Sequence, residues 1–280
     1  RWYRVDWASL PAARNYGIRR SHGEILVFID DDVLLPPGFL AAHACNYDRA
    51  EVGAVAGRVF DRQKLAEAEF TLEDLPPEAI DPAIGWYYVD LVHTVKAQPV
   101  LTARGCNMSF RRTAFTKFGL RFDERFRGSA VREESDVCLR LRQTGLQIWY
   151  DPIAHLIHLG KETGGCHDLE TRSRSALGTI SPRYQITFYH NHFWLGLKNL
   201  TFVQCVRFFS RLFDCHVLGR PPCHKSSSPL KVIARAGFYL IGFASALKTQ
   251  VQSAWDDGQI YGRQDAVADA NFSRESHLHY

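Results

Sequence analysis

The chain has no disulfide framework. Its seven cysteines are an odd number scattered from Cys45 to Cys223. That excludes the small stapled secreted domains and points to a reducing compartment such as the cytosol. No signal-peptide pattern follows Arg1. The apolar run Ala236–Leu247 has twelve residues, short of the roughly 20 that span a bilayer. Internal repeats and long low-complexity tracts are also lacking, which excludes solenoids and unstructured linkers. What remains is an ordinary globular composition, 46% hydrophobic and 23% charged over 280 residues, enough for a sizeable core plus an appendage. The pairs Cys215-His216 and Cys223-His224 match no common zinc-finger or ribbon spacing and read as ordinary thiols.

The net charge of +4 is unevenly distributed. Residues 181–240 hold eight Lys/Arg and one acid, for +7, whereas residues 61–90 hold eight acids and two bases. A basic block suits nucleic acid or an anionic membrane. Here the interleaved apolar residues, such as Phe193, Trp194, Leu197, Leu200, Val203 and Val206, recur at helical spacing. No nucleic-acid motif accompanies them. A basic amphipathic helix on an anionic membrane is therefore expected, with no nucleic-acid partner. An ordinary helical cap on the preceding domain remains the alternative. Together with the cysteines, this places the protein in the cytoplasm, with a peripheral position at the inner face of the membrane as an option.

The pattern along the first sixty residues is helix, strand, acidic turn, helix, strand. Ser9 and Pro11 open a helix that Gly23 is expected to stop. Glu24–Ile29 reads as a strand buried on both faces. A second helix runs from Phe39 to about Asp48, and a second strand from Gly53 to Val59. Residues 61–100, with Trp86-Tyr87-Tyr88, read as an insertion or lid. A short strand is expected around Leu101–Phe110, a helix over Arg111–Phe118 and another over Glu134–Thr144. Two short strands follow, at Gln147–Tyr150 and Ala154–His158. Such alternation predicts an α/β fold with a largely parallel sheet, and chemistry at the carboxyl ends of its strands.

Asp30-Asp31-Asp32 sits at such an end. Adjacent carboxylates repel one another, and a divalent cation relieves that. Alternation along an extended chain puts Asp30 and Asp32 on one side. A solvated acidic turn that caps the next helix is the competing reading.

The surrounding residues resemble glycosyltransferase family 2. The resemblance rests on Ala13–Ile18, on Gly23–Asp32 followed by Pro36–Leu40, on Gly105–Arg112, on Phe122–Glu124 with Glu133–Arg140, and on Asp151–His158. These segments occur in the family's order. The resemblance implies a GT-A fold, meaning a Rossmann-like and mostly parallel α/β domain, with a C-terminal helical extension. It implies a catalytic unit over residues 1–178, lacking the strand-helix-strand unit that holds the nucleobase, and an extension over residues 179–280. It further implies an inverting, metal-dependent transfer from a nucleotide-diphosphate sugar to a hydroxyl, in glycan or polysaccharide biosynthesis, with a glycan or lipid-linked acceptor.

The site residues follow from the same resemblance. Glu134 stands where the family has its general base, usually an aspartate. Arg14, Asn15, Asp30, Asp31, Gly105 and Asn107 are the expected donor-binding residues. Asp30, Asp32 and His158 are the expected ligands of Mn²⁺ or Mg²⁺. Arg14 could equally be an ordinary surface arginine and His158 an ordinary hydrogen-bonded residue. No Gln-x-x-Arg-Trp motif is present, so one sugar per encounter is expected rather than processive synthesis. Two alternatives stay open at this stage: a non-catalytic binding or scaffold relative, and a nucleotidyltransferase. Glu134 separates them, because neither needs a base beside an acceptor hydroxyl.

Overall fold

The computed structural model describes residues 2–61, 96–160, 181–220 and 228–256. The expected lid, including Trp86-Tyr87-Tyr88, and the pair Cys223-His224 lie outside them. Among the described residues six strands form one sheet: β1 (Ile25–Ile29), β2 (Val33–Leu34), β3 (Val52–Asp61), β4 (Gln98–Val100), β5 (Asn107–Arg111) and β6 (Gln147–His158). The strand order is β1-β5-β3-β6-β2, with β4 paired to β6. β5 is antiparallel to both β1 and β3, and β3 is parallel to β6. Strands β1, β3 and β6 therefore run in one direction, with β5 reversed between the first two. The largely parallel α/β sheet read from the sequence stands in this form. The two short flanking strands, β2 and β4, are antiparallel to β6.

Helices cover both faces of the sheet. α1 (Leu10–Arg20) starts at the Ser9 cap, as expected, but Ser21 ends it, two residues before Gly23. α2 (Phe39–Ala44) continues as a 3-10 turn over Cys45–Asp48. α3 (Arg112–Thr116) and α4 (Glu133–Gln143) follow. Side chains alternate along the strands. Ala54 and Ala56 of β3, Met108 and Phe110 of β5, and Ile148 and Tyr150 of β6 join Ile18, Val137 and Leu141 in the principal core. Val55 and Trp149 face the opposite way, toward Tyr47.

Three expectations on the strands change. β1 has one buried residue, Leu26, and an exposed end at Ile29. It has no second strand neighbour among the described residues, so it is an edge rather than a strand buried on both faces. The strand expected over Leu101–Phe110 is β5 alone, preceded by a bridge between Arg104 and Asn107. The two short strands after α4 are one strand, β6, carrying an irregularity. Gly57 pairs with Asp151 but Val59 pairs with Leu156, so β6 bulges between these pairs.

The C-terminal part is helical: α5 (Pro182–Asn199), α6 (Phe202–Leu212), a π-turn over Phe213–Val217, and α7 (Pro229–Asp256). The capping box of Thr201 and Gln204 splits the aromatic stretch into α5 and α6. α7 extends well past the run of twelve apolar residues. Its segment Pro229–Ser253 is long and apolar enough to cross a membrane by length and composition. These helices pack around Tyr189, Phe193, Trp194, Phe208 and Leu212, and the same core takes in Phe126 and Ala130 from the loop before α4.

Polar contacts join this helical core to the sheet domain. Lys198 Nζ donates to Asp123 at 2.7 Å and to Asp136 at 2.9 Å, and Trp194 Nε1 donates to Asp123 at 3.0 Å. Burial alone would raise the Asp123 pKa, but Lys198 and Arg125 override it and hold the carboxyl well below the usual range. His190 bonds Ser245 of α7 and the Arg125 carbonyl.

Burial first, and then the charge of Arg127, lower the His190 pKa from 6.5 to about 4. Above pH 6.5 the ring is neutral whether folded or unfolded, and it makes no pH-dependent contribution. Between 6.5 and 4 the unfolded chain binds a proton that the folded chain refuses, so stability falls as pH falls, by up to about 3 kcal/mol. His190→Gln is expected to flatten this part of a plot of denaturation midpoint against pH. An unchanged slope in the variant would assign the acid lability to other groups.

Candidate active site

The carboxyl ends of β1, β3 and β6 meet at one edge of the sheet. There β2 folds back on the end of β6, with Val33 opposite His158, and the Leu159 N–H donates to the Asp32 carbonyl at 2.8 Å. This pairing carries the acidic turn onto the histidine. His158 Nε2 lies 3.3 Å from Asp32 Oδ1 and 3.6 Å from Asp30 Oδ2. One ligand atom from each of Asp30, Asp32 and His158 falls within 4.8 Å of the others. The side chains of Asp30, Asp32 and His158 are 41%, 15% and 22% exposed, so the cluster opens to one side. Two carboxylates and an imidazole on an open edge suit a divalent cation with coordination positions left for other oxygens. Asp31 between them is exposed and lies outside the cluster.

The expected donor residues Arg14, Asn15 and Asn107 are buried and engaged by other parts of the protein, and Gly105 accepts from Arg14. Arg14 is 8% exposed. Its guanidinium contacts Glu133, donates to the Gly105 carbonyl at 3.0 Å, and lies over the Phe122 and Phe28 rings. A Cβ on Gly105 would stand 2.7 Å from Arg14 Nη2, so the glycine leaves room for the arginine. Burial lowers the Arg14 pKa, while the charges of Glu134 and Asp30 act in the opposite direction. One cation thus stands in the field of both the acidic turn and the candidate base. Asn15, at 2% exposure, bonds both the N–H and the carbonyl of Phe122, and also Glu124.

Asn107 closes the β6 bulge. Its Nδ2 donates to the Arg58 and Ala154 carbonyls, both at 2.9 Å, and its Oδ1 is 2.9 Å from His43 Nε2. Because Oδ1 only accepts, His43 carries its proton on Nε2, and its Nδ1 accepts from Ser109, which accepts in turn from Tyr47. Burial lowers the His43 pKa, in keeping with a neutral ring. Gly57 is required here, since a Cβ would fall 2.2 Å from the Ala154 carbonyl oxygen and 2.3 Å from Asn107 Nδ2.

Glu134 lies half-buried in the first turn of α4, after an N-cap at Arg132. The approach is strained: Ala130 and Arg132 have φ of 53° and 79°, where non-glycine residues are uncommon. α5 holds it in place. Asn191 bonds both the N–H and the carbonyl of Arg127, and Arg132 Nε donates to His192 Nε2 at 3.2 Å.

Sequence reasoning missed Glu133 as the partner of Arg14, and it missed the group of Asp123, Asp136, Trp194 and Lys198. The four-residue spacing of Trp194 and Lys198 marks a shared helix face. Nothing local to it indicates the two aspartates it meets.

The α/β sheet thus carries two carboxylates and an imidazole at its strand ends, and the acid pair Glu133-Glu134 opens α4. Residues 5–119 match the family model for glycosyl transferase family 2. A search of curated proteins finds no match. Solved structures similar to the chain include a mannosyltransferase from Pyrobaculum calidifontis in complex with GDP-Man and Mn²⁺. It has 16% identity and a TM-score of 0.39, with 94% of this chain and 59% of that one covered. Another is GalNAc-T7 with UDP, GalNAc and Mn²⁺, at 11% identity and a TM-score of 0.45, covering 90% of this chain and 44% of that one. The chain thus spans about half the length of these structures.

Arg14→Met would leave Glu133, 1% exposed, charged and unpaired. A loss of about 3–5 kcal/mol in stability is expected by denaturant unfolding. Arg14→Met with Glu133→Leu is expected to recover most of it. Strict additivity of the two single effects would mean that the pair is not coupled.

Proposed function

We propose that the chain transfers a single sugar, with inversion, from a nucleotide-diphosphate donor to a hydroxyl acceptor, in glycan or polysaccharide biosynthesis. The observation that carries this is the convergence of Asp30, Asp32 and His158 within 4.8 Å at the strand ends. These three would hold Mn²⁺ or Mg²⁺, which supplies positive charge against the leaving diphosphate when bound. Asp31, exposed beside them, is free to meet the donor nucleoside. Arg14, Asn15, Gly105 and Asn107 act on the donor by fixing the shape of its pocket.

Glu134 is the general base. It accepts the proton of the acceptor hydroxyl, whose oxygen attacks the anomeric carbon on the face opposite the diphosphate. One displacement inverts that centre. A glutamate in place of the family's usual aspartate adds a methylene to the reach, and the fixed turn at Ala130–Arg132 sets where that reach begins. In this reading residues 1–178 form the catalytic unit. Residues 179–280 brace it and meet an anionic membrane at its inner, cytoplasmic face, where a lipid-linked or glycan acceptor would be presented.

The test is turnover of a panel of nucleotide sugars with and without Mn²⁺, with product anomers read by NMR. Glu134→Gln is expected to lower kcat by about 10²–10⁴-fold, and Glu134→Asp to restore part of it. A retained anomeric configuration would refute the single displacement. Full activity in Glu134→Gln would remove it as the base. An absence of turnover with every donor would favour a binding domain.

A further inference from the structure

α7 has two unlike faces. Gly242, Ala246, Thr249 and Ser253 are buried, and a Cβ on Gly242 would lie 2.5 Å from Tyr189 of α5. Arg127, in the loop before Glu134, donates to Ser245 and Thr249, both at 3.1 Å. Tyr239 donates to the Phe209 carbonyl of α6 at 3.0 Å. The opposite face is apolar and open: Leu230, Ile233, Leu240, Ile241 and Val251 are each more than half exposed. With 3.6 residues per turn, these fall in an arc of about 100° and form a stripe about 30 Å long.

So large an exposed stripe marks an interaction surface. Its charge indicates the partner. From Pro229 to Trp255 the helix has no acid, and the exposed Lys231 and Lys248 stand near the two ends of the stripe. An apolar band with ammonium groups near its ends fits the boundary between acyl chains and anionic headgroups. The helix is long and apolar enough to cross a bilayer. Crossing would carry Arg127 and the packed α5 face into hydrocarbon, at a cost that lying flat avoids.

We propose that the exposed face of α7, Leu230 to Val251, docks flat on an anionic lipid surface while its other face stays on the catalytic unit. This deepens the membrane reading given above and rests on it. Because Arg127 and α5 reach both α7 and the Glu134 turn, docking would orient the active site toward the bilayer.

Flotation of the full chain with vesicles of phosphatidylglycerol and phosphatidylcholine, against phosphatidylcholine alone, tests it. Floating with the anionic vesicles and not the neutral ones is expected, weakening as salt rises. Ile233→Asp/Leu240→Asp should lower the bound fraction at least about tenfold with an unchanged circular dichroism spectrum, since both residues are exposed. Lys231→Glu/Lys248→Glu should weaken binding to anionic vesicles. If the wild type floats and the stripe variant floats equally, the α7 surface is refuted while membrane binding stands. If the wild type stays at the bottom with both vesicles, both fail. Self-association of the wild type that the stripe variant abolishes, without flotation, overturns the proposal in favour of a second copy as the occupant.

Discussion

Arg14 is the constraint on which the rest of the site depends. A guanidinium at 8% exposure costs several kcal/mol of lost hydration, and it is tolerated only where opposing groups are fixed around it. Here Glu133, the Gly105 carbonyl and two aromatic faces provide them. Each comes from a different part of the chain: α4, the turn before β5, β1, and the loop that follows α3. Placing this one charge correctly brings those parts to fixed positions. Asp30 and Glu134 both act on its charge, so the acidic turn and the start of α4 share a common support.

Two further devices complete the support. The β6 bulge would leave strand carbonyls without partners, and Asn107 satisfies two of them while its own carbonyl is taken by His43. The bulge precedes the segment that carries His158 to the edge, so the amide fixes where the imidazole arrives. Ahead of Glu134, α5 grips the loop from Asp123 to Arg132 through Lys198, Trp194, Asn191 and His192. Strain at Ala130 and Arg132 persists because that grip over-determines the loop. The C-terminal helices therefore bear on the geometry of Glu134, whatever else they contact.

The convergence of Asp30, Asp32 and His158 was legible in the sequence. Asp30 and Asp32 are two apart at a strand end, and His158 closes the last of the segments that resemble glycosyltransferase family 2. The α1 cap at Ser9 was legible too, because capping depends on a few adjacent atoms. The roles of Arg14, Asn15 and Asn107 were not. Their residue types fit donor contacts, and only long-range packing shows that Glu133, Phe122 and Ala154 already occupy them. The two-sided burial expected for β1 failed because an apolar strand reads the same at an edge and in the middle of a sheet. The length of α7 was missed because Lys248, Thr249 and Gln250 end the apolar run without ending the helix.

As proposed above, Asp30, Asp32 and His158 together hold one divalent cation. Titration of Mn²⁺ into the protein, with free ion followed by electron paramagnetic resonance in the presence of a nucleoside diphosphate, tests it most directly. One bound ion per chain is expected in the wild type, and at least about tenfold weaker binding in Asp32→Asn and in His158→Ala. Equal binding in the wild type and both variants would contradict it.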